Sequence, residues 1–323
     1  MGRKSHSRAL SIWANGVRVG IWRIPARGDM ELLYDIGWKQ SDAGRPLSLS
    51  LPFGIGPAPL RGERVNHYFD NLLPDSDAIR RRLASRFGTA TTEPFDLLAA
   101  LGRDCVGAVQ LLGEDEAPTG HDRIDGTPLS DDDVARVLDQ ASGAAGGAQD
   151  DDDFRLSLAG AQEKTALLFH DGRWMRPHGA TPTTHILKLP LGLVGNKRAD
   201  LTTSVENEWL CLAILRAFGL PTADADILRF GEHKVLSVAR FDRALHRDGG
   251  WLLRLPQEDF CQALGVPPHL KYESQGGPGV PDLAGILRRS ETAQADLDTL
   301  FTALVVFWML AAPDGHAKNF SLR

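Results

Sequence analysis

The chain has 323 residues, 42% of them hydrophobic and 24% charged, with a net charge of −6. That is the composition of a globular protein with room for roughly two domains. The negative balance excludes nucleic-acid binding driven by a global positive field. The odd count of three cysteines, with no CxxC pair, argues for reduced thiols in a cytoplasmic protein rather than a disulfide frame.

The opening MGRKSHSRAL is basic but leads into no long apolar run, so no secretory leader is expected. Ile12-Trp13 and Val17-Val19-Ile21 flank Asn15-Gly16, a hairpin signal. Leu47–Leu51 alternates with period two and reads as a half-buried strand ended by Pro52. Val65, Phe69, Leu72 and Leu73 mark a helix closed by Pro74. Ser76 caps the next, with Ile79, Leu83 and Phe87 on one face and Gly88 past its end. The other face carries Arg80, Arg81, Arg82 and Arg86, either a solvated face or a docking surface. A helix over Phe95–Leu101 and a strand over Val106–Leu112 complete an α+β unit spanning 1–112.

Residues 113–153 change character. Glycine and acid runs cannot bury apolar area, so a linker is expected, interrupted by a short helix near Asp133–Gln140. The acids Asp150–Asp153 read as a solvated, self-repelling segment rather than a metal site. From 154 onward, strands and one helix precede a helix-rich stretch, the order of a β-rich lobe followed by a helical lobe. Thr203 and Glu206 form a capping-box pattern at the start of the helix running to Gly219, and a hairpin follows around Gly231-Glu232. Leu297–Ala312 is too short and too polar to span a bilayer and reads as a buried helix stopped by Pro313, so no membrane partner is expected.

The chemistry gathers after that helix. Asp314 and Asn319 stand five positions apart. This is the spacing of a protein-kinase catalytic loop, where the Asp accepts the substrate hydroxyl's proton and the Asn holds a metal ion. His316, Ala317 and Lys318 lie between them. A metallohydrolase Asp314/His316 pair is the rival reading, though no further His/Asp cluster follows. Lys188 sits in an apolar strand and needs a partner charge, either a nucleotide phosphate steadied by Glu206 or Glu208, or solvent at a sheet edge. Ser157–Lys164 has one glycine, Gly160. It is a weak phosphate-cradling loop or an ordinary turn, with Ser157 the hydroxyl nearest it. Val238–Asp242 ends a strand before a polar turn, either an adenine hinge with Asp242 towards the ribose or an interdomain strand–turn.

Several strings resemble the HipA toxin kinases of bacterial type II toxin–antitoxin systems: Phe154–Ala166, Thr183–Pro190, Arg254–Asp259, Lys271–Ser274 and Asp314–Ser321, with Arg45–Pro52, Phe69–Ser76 and Gly102–Val109 in the front half. The resemblance runs from about residue 10 to the end. It implies a HipA N-terminal α+β subdomain over 1–112, the linker over 113–153 and a two-lobed kinase-like domain over 154–323. It further implies a serine/threonine kinase using ATP and magnesium. Ala159, Gly160, Ala161, Gln162, Glu163, Lys164 and Lys188 would contact phosphates. Ala239, Arg240 and Phe241 would form the adenine hinge, with Asp242 beside it. Asp314 would be the base, and His316, Ala317, Lys318 and Asn319 would complete the nucleotide site, with Asn319 on the metal. Ser157 matches the family's self-inactivating phosphoserine. The implied partners are a small helix-turn-helix antitoxin, DNA only through that antitoxin, and a translation-related substrate such as glutamyl-tRNA synthetase.

Family members continue beyond the point where this sequence stops and carry a second metal-binding Asp there. The expectation is therefore a chain cut short after its catalytic loop, with severely slowed transfer and uncovered apolar surface on its last helix. The alternative is an inactive remnant that binds nucleotide or antitoxin.

Overall fold

Strands β1 (Arg8–Ala14) and β2 (Val17–Ile24) close over Asn15 and Gly16, whose φ angles of 48° and 81° give the turn that suits a twisted hairpin. The computed structural model describes residues 8–142, 157–160, 162–194 and 199–323; the expectations for Asp150–Asp153 and Ala161 lie outside them. The hairpin is extended by β3 (Glu31–Tyr34), α1 (Ile36–Gln40), β4 (Leu60–Arg61), α2 (Glu63–Asp70), α3 (Asp77–Phe87), α4 (Pro94–Leu101) and β5 (Gln110–Gly113). The five strands form an antiparallel sheet in the order β4-β3-β2-β1-β5. Its inner face meets the helices at Trp22, which stacks on Phe69 of α2 with ring centres 3.9 Å apart and tilts against Phe95 of α4. Ser76 accepts the Ile79 amide, and Gly88 ends α3 at φ 63°.

Two expectations fail in this half. Leu47–Leu51 is not a strand. The Ser48 and Ser50 hydroxyls donate to the Gln262 carbonyl and the Leu49 amide donates to Glu258, so the segment clips onto a distant part of the chain and pairs with no strand. Val106–Leu112 yields a strand only from Gln110. Gly107 turns there at φ 75° and donates its amide to Asp242.

The second sheet is built from β6 (Gly126–Pro128), β7 (Lys164–His170), β8 (Arg173–Pro177), β9 (His185–Lys188), β12 (Ala225–Phe230) and β13 (His233–Ala239), in the order β12-β13-β9-β7-β8-β6. Between these come α5 (Asp131–Ser142), the hairpin β10 (Gly192–Val194) and β11 (Ala199–Leu201), and α6 (Ser204–Ala217). Side chains alternate across a strand. Leu167, Leu187 and Val235 therefore pack on Val134 and Leu138 of α5, while Leu236 packs on Val205 and Leu212 of α6. The described part of 113–153 thus holds a strand and a helix built into this sheet. The Thr203 capping box does not form: its side chain makes no cap bond, and Glu206 reaches Lys234 instead.

The helical part follows β14 (Arg243–Leu245), β15 (Leu252–Arg254) and β16 (Glu258–Asp259), and comprises α7 (Phe260–Leu264), α8 (Val280–Leu287) and α9 (Ala293–Met309), ending at β17 (Ser321–Leu322). Phe260, Leu283, Leu287, Leu300 and Ala317 form its core. α9 is not buried as expected. Leu300, Ala303 and Val306 face inward, whereas Phe301, Val305, Trp308 and Met309 are exposed because α9 is packed on one side only. Nor does Pro313 stop it. The helix ends at Met309 in a Schellman turn, with the Ala312 amide on Phe307, the Ala311 amide on Trp308 and Ala311 at φ 50°. Among the described residues no helix is long and apolar enough to cross a membrane.

Candidate active site

Alternation along β9 decides where Lys188 points. Leu187 is taken by the α5 side, so Lys188 stands on the α6 face, and Glu208 of α6 meets its ammonium at 2.5 Å. Glu208, not Glu206, is its partner; Glu206 pairs with Lys234. Lys164 of β7 is the register partner of Lys188, so two ammonium groups share one patch of sheet. Burial, then the charge of Lys188, push Lys164 down to about 7, while Asp75 and Glu208 act the other way. Its ammonium donates to the Ala159 carbonyl within the candidate phosphate loop. Gly160 in that loop has φ 105°, a region L side chains rarely adopt, and a methyl added there would stand 2.6 Å from Lys164 Nζ.

The rest of the loop is tied inward. The Gln162 amide donates to the Leu189 carbonyl at 2.5 Å, and Glu163 pairs with Arg82 of α3 at 2.5 Å. The arginine face of α3 is therefore partly taken up by contacts within the chain, with Arg80 held by Asp70 and the Pro74 carbonyl. Ser157 is buried, and its hydroxyl donates to the Leu72 carbonyl at 2.8 Å.

The loop after α9 carries the second half of the site. Asp314 is exposed, and Tyr272 donates its hydroxyl to it at 2.5 Å. The Asn319 side-chain amide donates to the Asp314 carbonyl, closing the loop on itself. His316 is buried with Nε2 3.5 Å from Asp314. Burial, then Lys271, hold the imidazole below its ordinary range. Ala317 is buried, its amide on the Lys271 carbonyl. Lys318 departs from expectation: it does not stand free to meet a phosphate. Its ammonium donates to Asn71 Oδ1 at 2.7 Å, the Asn71 carbonyl at 3.1 Å and Asp259 at 3.2 Å.

The hinge residues divide. The Ala239 amide donates to the Asp224 carbonyl, and Phe241 is half-exposed. Arg240 and Asp242 are buried in a charge network instead. Arg240 and Arg243 both pair with Asp242 and Asp104, Arg254 joins Asp104 at 3.1 Å, and Thr183 donates to Asp104 at 2.7 Å. Asp242 therefore does not turn to an open ribose pocket: its oxygens are taken by arginines and the Gly107 amide. Burial raises both acids, but the surrounding guanidiniums outweigh it and hold Asp242 and Asp104 well below the usual carboxylate range.

Sequence reasoning missed Asp104, Arg243 and Arg254, and with them Asn71, Asp75, Lys271 and Tyr272. The signal was there: charged residues inside apolar strings such as Phe69–Ser76 and Gly102–Val109 need partners. Asp75 links the two halves of the site. It pairs with Lys271 at 2.8 Å, lies 3.7 Å from Lys318, and its charge is felt by Lys164 and His316. A cleft of about 110 Å³ between α3 and α5, lined by Arg82, Phe87, Val137, Gln162 and Lys164, borders neither Lys188 nor Asp314.

The paired lysines beside the Gly160 turn suit a polyphosphate. Among the described residues no three His, Cys, Asp or Glu side chains converge to hold a metal. Magnesium at Asn319 would take its remaining oxygens from phosphates and water, its usual habit in nucleotide sites.

Residues 10–112 match the HipA N-terminal domain and residues 156–323 the HipA-like C-terminal domain. The chain is 36% identical over 98% of its length to putative kinase Y4mE of Sinorhizobium fredii, spanning 73% of that protein. It is 30% identical over 89% of its length to the serine/threonine-protein kinase toxin HipA of Shewanella oneidensis, spanning 65% of it. In fold it is similar to the solved HipA from the Shewanella oneidensis complex of HipA, HipB and operator DNA. The TM-score is 0.75 at 24% identity, covering 97% of this chain and 72% of that one.

Proposed function

Since the chain belongs to the HipA family, we propose that it is built as a serine/threonine protein kinase toxin. Its substrate class is a translation-related protein such as glutamyl-tRNA synthetase, and a small helix-turn-helix antitoxin neutralises it and makes the DNA contacts. It works in the cytoplasm. The division is an N-terminal subdomain over 1–112, a connecting segment over 113–153 and the kinase-like domain over 154–323. One observation carries the reading: Lys188 of a strand is bonded to Glu208 of a helix, the lysine–glutamate pair with which a protein kinase grips phosphates, and Lys164 stands beside it on the sheet.

In this reading ATP supplies the transferable phosphoryl group and Mg²⁺ neutralises charge developing on it. Ala159–Lys164 and Lys188 hold the phosphates. The Ala239–Phe241 backbone borders the adenine. Asp314 accepts the proton of the incoming hydroxyl, and Asn319 offers its side-chain oxygen to the metal. His316 and Ala317 shape the loop from beneath, and Lys318 and Asp242 serve as anchors. Ser157 becomes an acceptor only after its hydroxyl leaves the Leu72 carbonyl.

Titration with ATP and Mg²⁺ by calorimetry tests this. Binding is expected, with about a tenfold loss or more in Lys188→Met, as for a charge-assisted contact worth ~1.5–3 kcal/mol. Whatever transfer of γ-label to a protein acceptor the parent chain shows should vanish in Asp314→Ala. A parent chain that does not bind ATP overturns the proposal. Binding without transfer selects the second reading, a nucleotide-binding module. The Tyr272 hydroxyl already occupying an Asp314 oxygen favours that reading.

A further inference from the structure

The segment Asn71–Asp75, which leaves the end of α2, touches both loops of the candidate site. On the phosphate-loop side, the Leu72 carbonyl accepts the Ser157 hydroxyl, the Asp75 amide donates to the Gly160 carbonyl at 3.2 Å, and Pro74 bridges to Gly160. On the catalytic-loop side, Asn71 accepts Lys318 twice, and Asp75 pairs with Lys271, whose carbonyl receives the Ala317 amide. Asn71 is itself fixed, donating to the His67 and Val266 carbonyls. Lys318 is almost wholly buried, so its ammonium depends on these partners and Asp259.

We propose that Asn71–Asp75 is a positioning element that holds the phosphate loop and the catalytic loop in one register, so that filling the first orders the second. Asn71 acts through Lys318, and Asp75 acts through Gly160 and Lys271; none of them touches substrate. The inference deepens the kinase reading and rests on it for the identity of the ligand. It makes the N-terminal sheet and its helices a working part of the site. A purely stabilising contact would raise resistance to unfolding without linking the two loops.

Hydrogen exchange on the intact chain tests the link without using activity. In the parent protein, ATP should slow exchange by about tenfold at the Asp75 amide and together at the Ala317 and Asn319 amides, which report the two loops. ATP that protects one loop and leaves the other unchanged overturns the proposal.

Asn71→Leu removes the Oδ1 half of the tether with no change of charge, while the Asn71 carbonyl still accepts Lys318. Without ligand it should speed exchange at Ala317 and Asn319 by about tenfold, the loss of one buried hydrogen bond to a charge, while β1 and β2 stay protected. Lys318→Met cuts that contact from the other side, together with the bonds to the Asn71 carbonyl and Asp259, and the double variant should lose clearly less than the sum of the two single ones. Additive losses, or unchanged exchange in the single variants, sink the idea. If Asn71→Leu fails to fold, Lys318→Met and the parent experiment still decide. If the parent does not bind ATP, the kinase reading fails while the ligand-free comparison still judges the tether.

Discussion

Lys164 of β7 and Lys188 of β9 are direct partners across an antiparallel ladder, two like charges where a sheet ordinarily places neutral or opposite ones. Glu208 compensates Lys188. Burial and the neighbouring ammonium leave Lys164 with a pKa of about 7 against the usual 10.5. A lowered lysine pKa means that the unfolded chain binds more protons than the folded one between those values. Stability therefore rises as pH climbs from about 7 towards about 10.5, and the penalty is fully present below 7. Urea midpoints across this window should show the rise, and Lys164→Met should flatten it. A flat profile in the parent chain contradicts the placement of Lys164.

The same pair makes nucleotide binding draw protons. A phosphate arriving between the lysines favours the charged form of Lys164, so ATP binding at about pH 8 should take up a large part of one proton. Calorimetry in two buffers of different ionisation enthalpy reads this directly. Equal apparent enthalpies in both buffers would remove Lys164 from the phosphate contact.

Asp104 joins the N-terminal sheet region to the strand end at Arg240 through three buried arginines and Thr183. Removing one side of such a network leaves buried charge uncompensated, so Asp104→Asn should cost about 3–5 kcal/mol in urea unfolding. Its carboxyl is held below the usual range, so this contribution is present above pH 3.8, the unfolded value, and fades as pH falls below it. The variant should accordingly lose less on acidification than the parent. A loss under 1 kcal/mol would mean the arginines find other partners.

Ala311 occupies the left-handed position of a Schellman turn that glycine usually fills. Ala311→Gly should raise stability by about 1 kcal/mol, because the Cβ conflict exceeds the added chain entropy. Thermal unfolding measures it; a lower melting temperature would show that the methyl contributes contacts worth more than the strain.

Much of the local structure was legible in the chain. The Asn15-Gly16 hairpin, the Ser76 and Gly88 caps of α3 and the hairpin at Gly231-Glu232 follow from residues adjacent in sequence. The paired lysine was legible as well, since Lys188 breaks an apolar strand. Leu47–Leu51 was misread because its alternation reflects docking onto Gln262 and Glu258, not pairing with a strand. The buried reading of α9 failed for a related reason: apolar content does not say how many sides of a helix are covered.

The amino-acid order alone determined the spacing of Asp314 and Asn319, the family strings and most turns, since each rests on steric and hydrogen-bond preferences within a few residues. The tertiary structure decided where the charged side chains end. Lys318, which looked like a phosphate contact, instead binds Asn71, 247 positions away. Arg240 turns from the hinge to Asp104, and Asp242 turns to Arg240, Arg243 and the Gly107 amide. A buried ion goes wherever its desolvation is compensated, and that partner comes into being only when distant surfaces close around it.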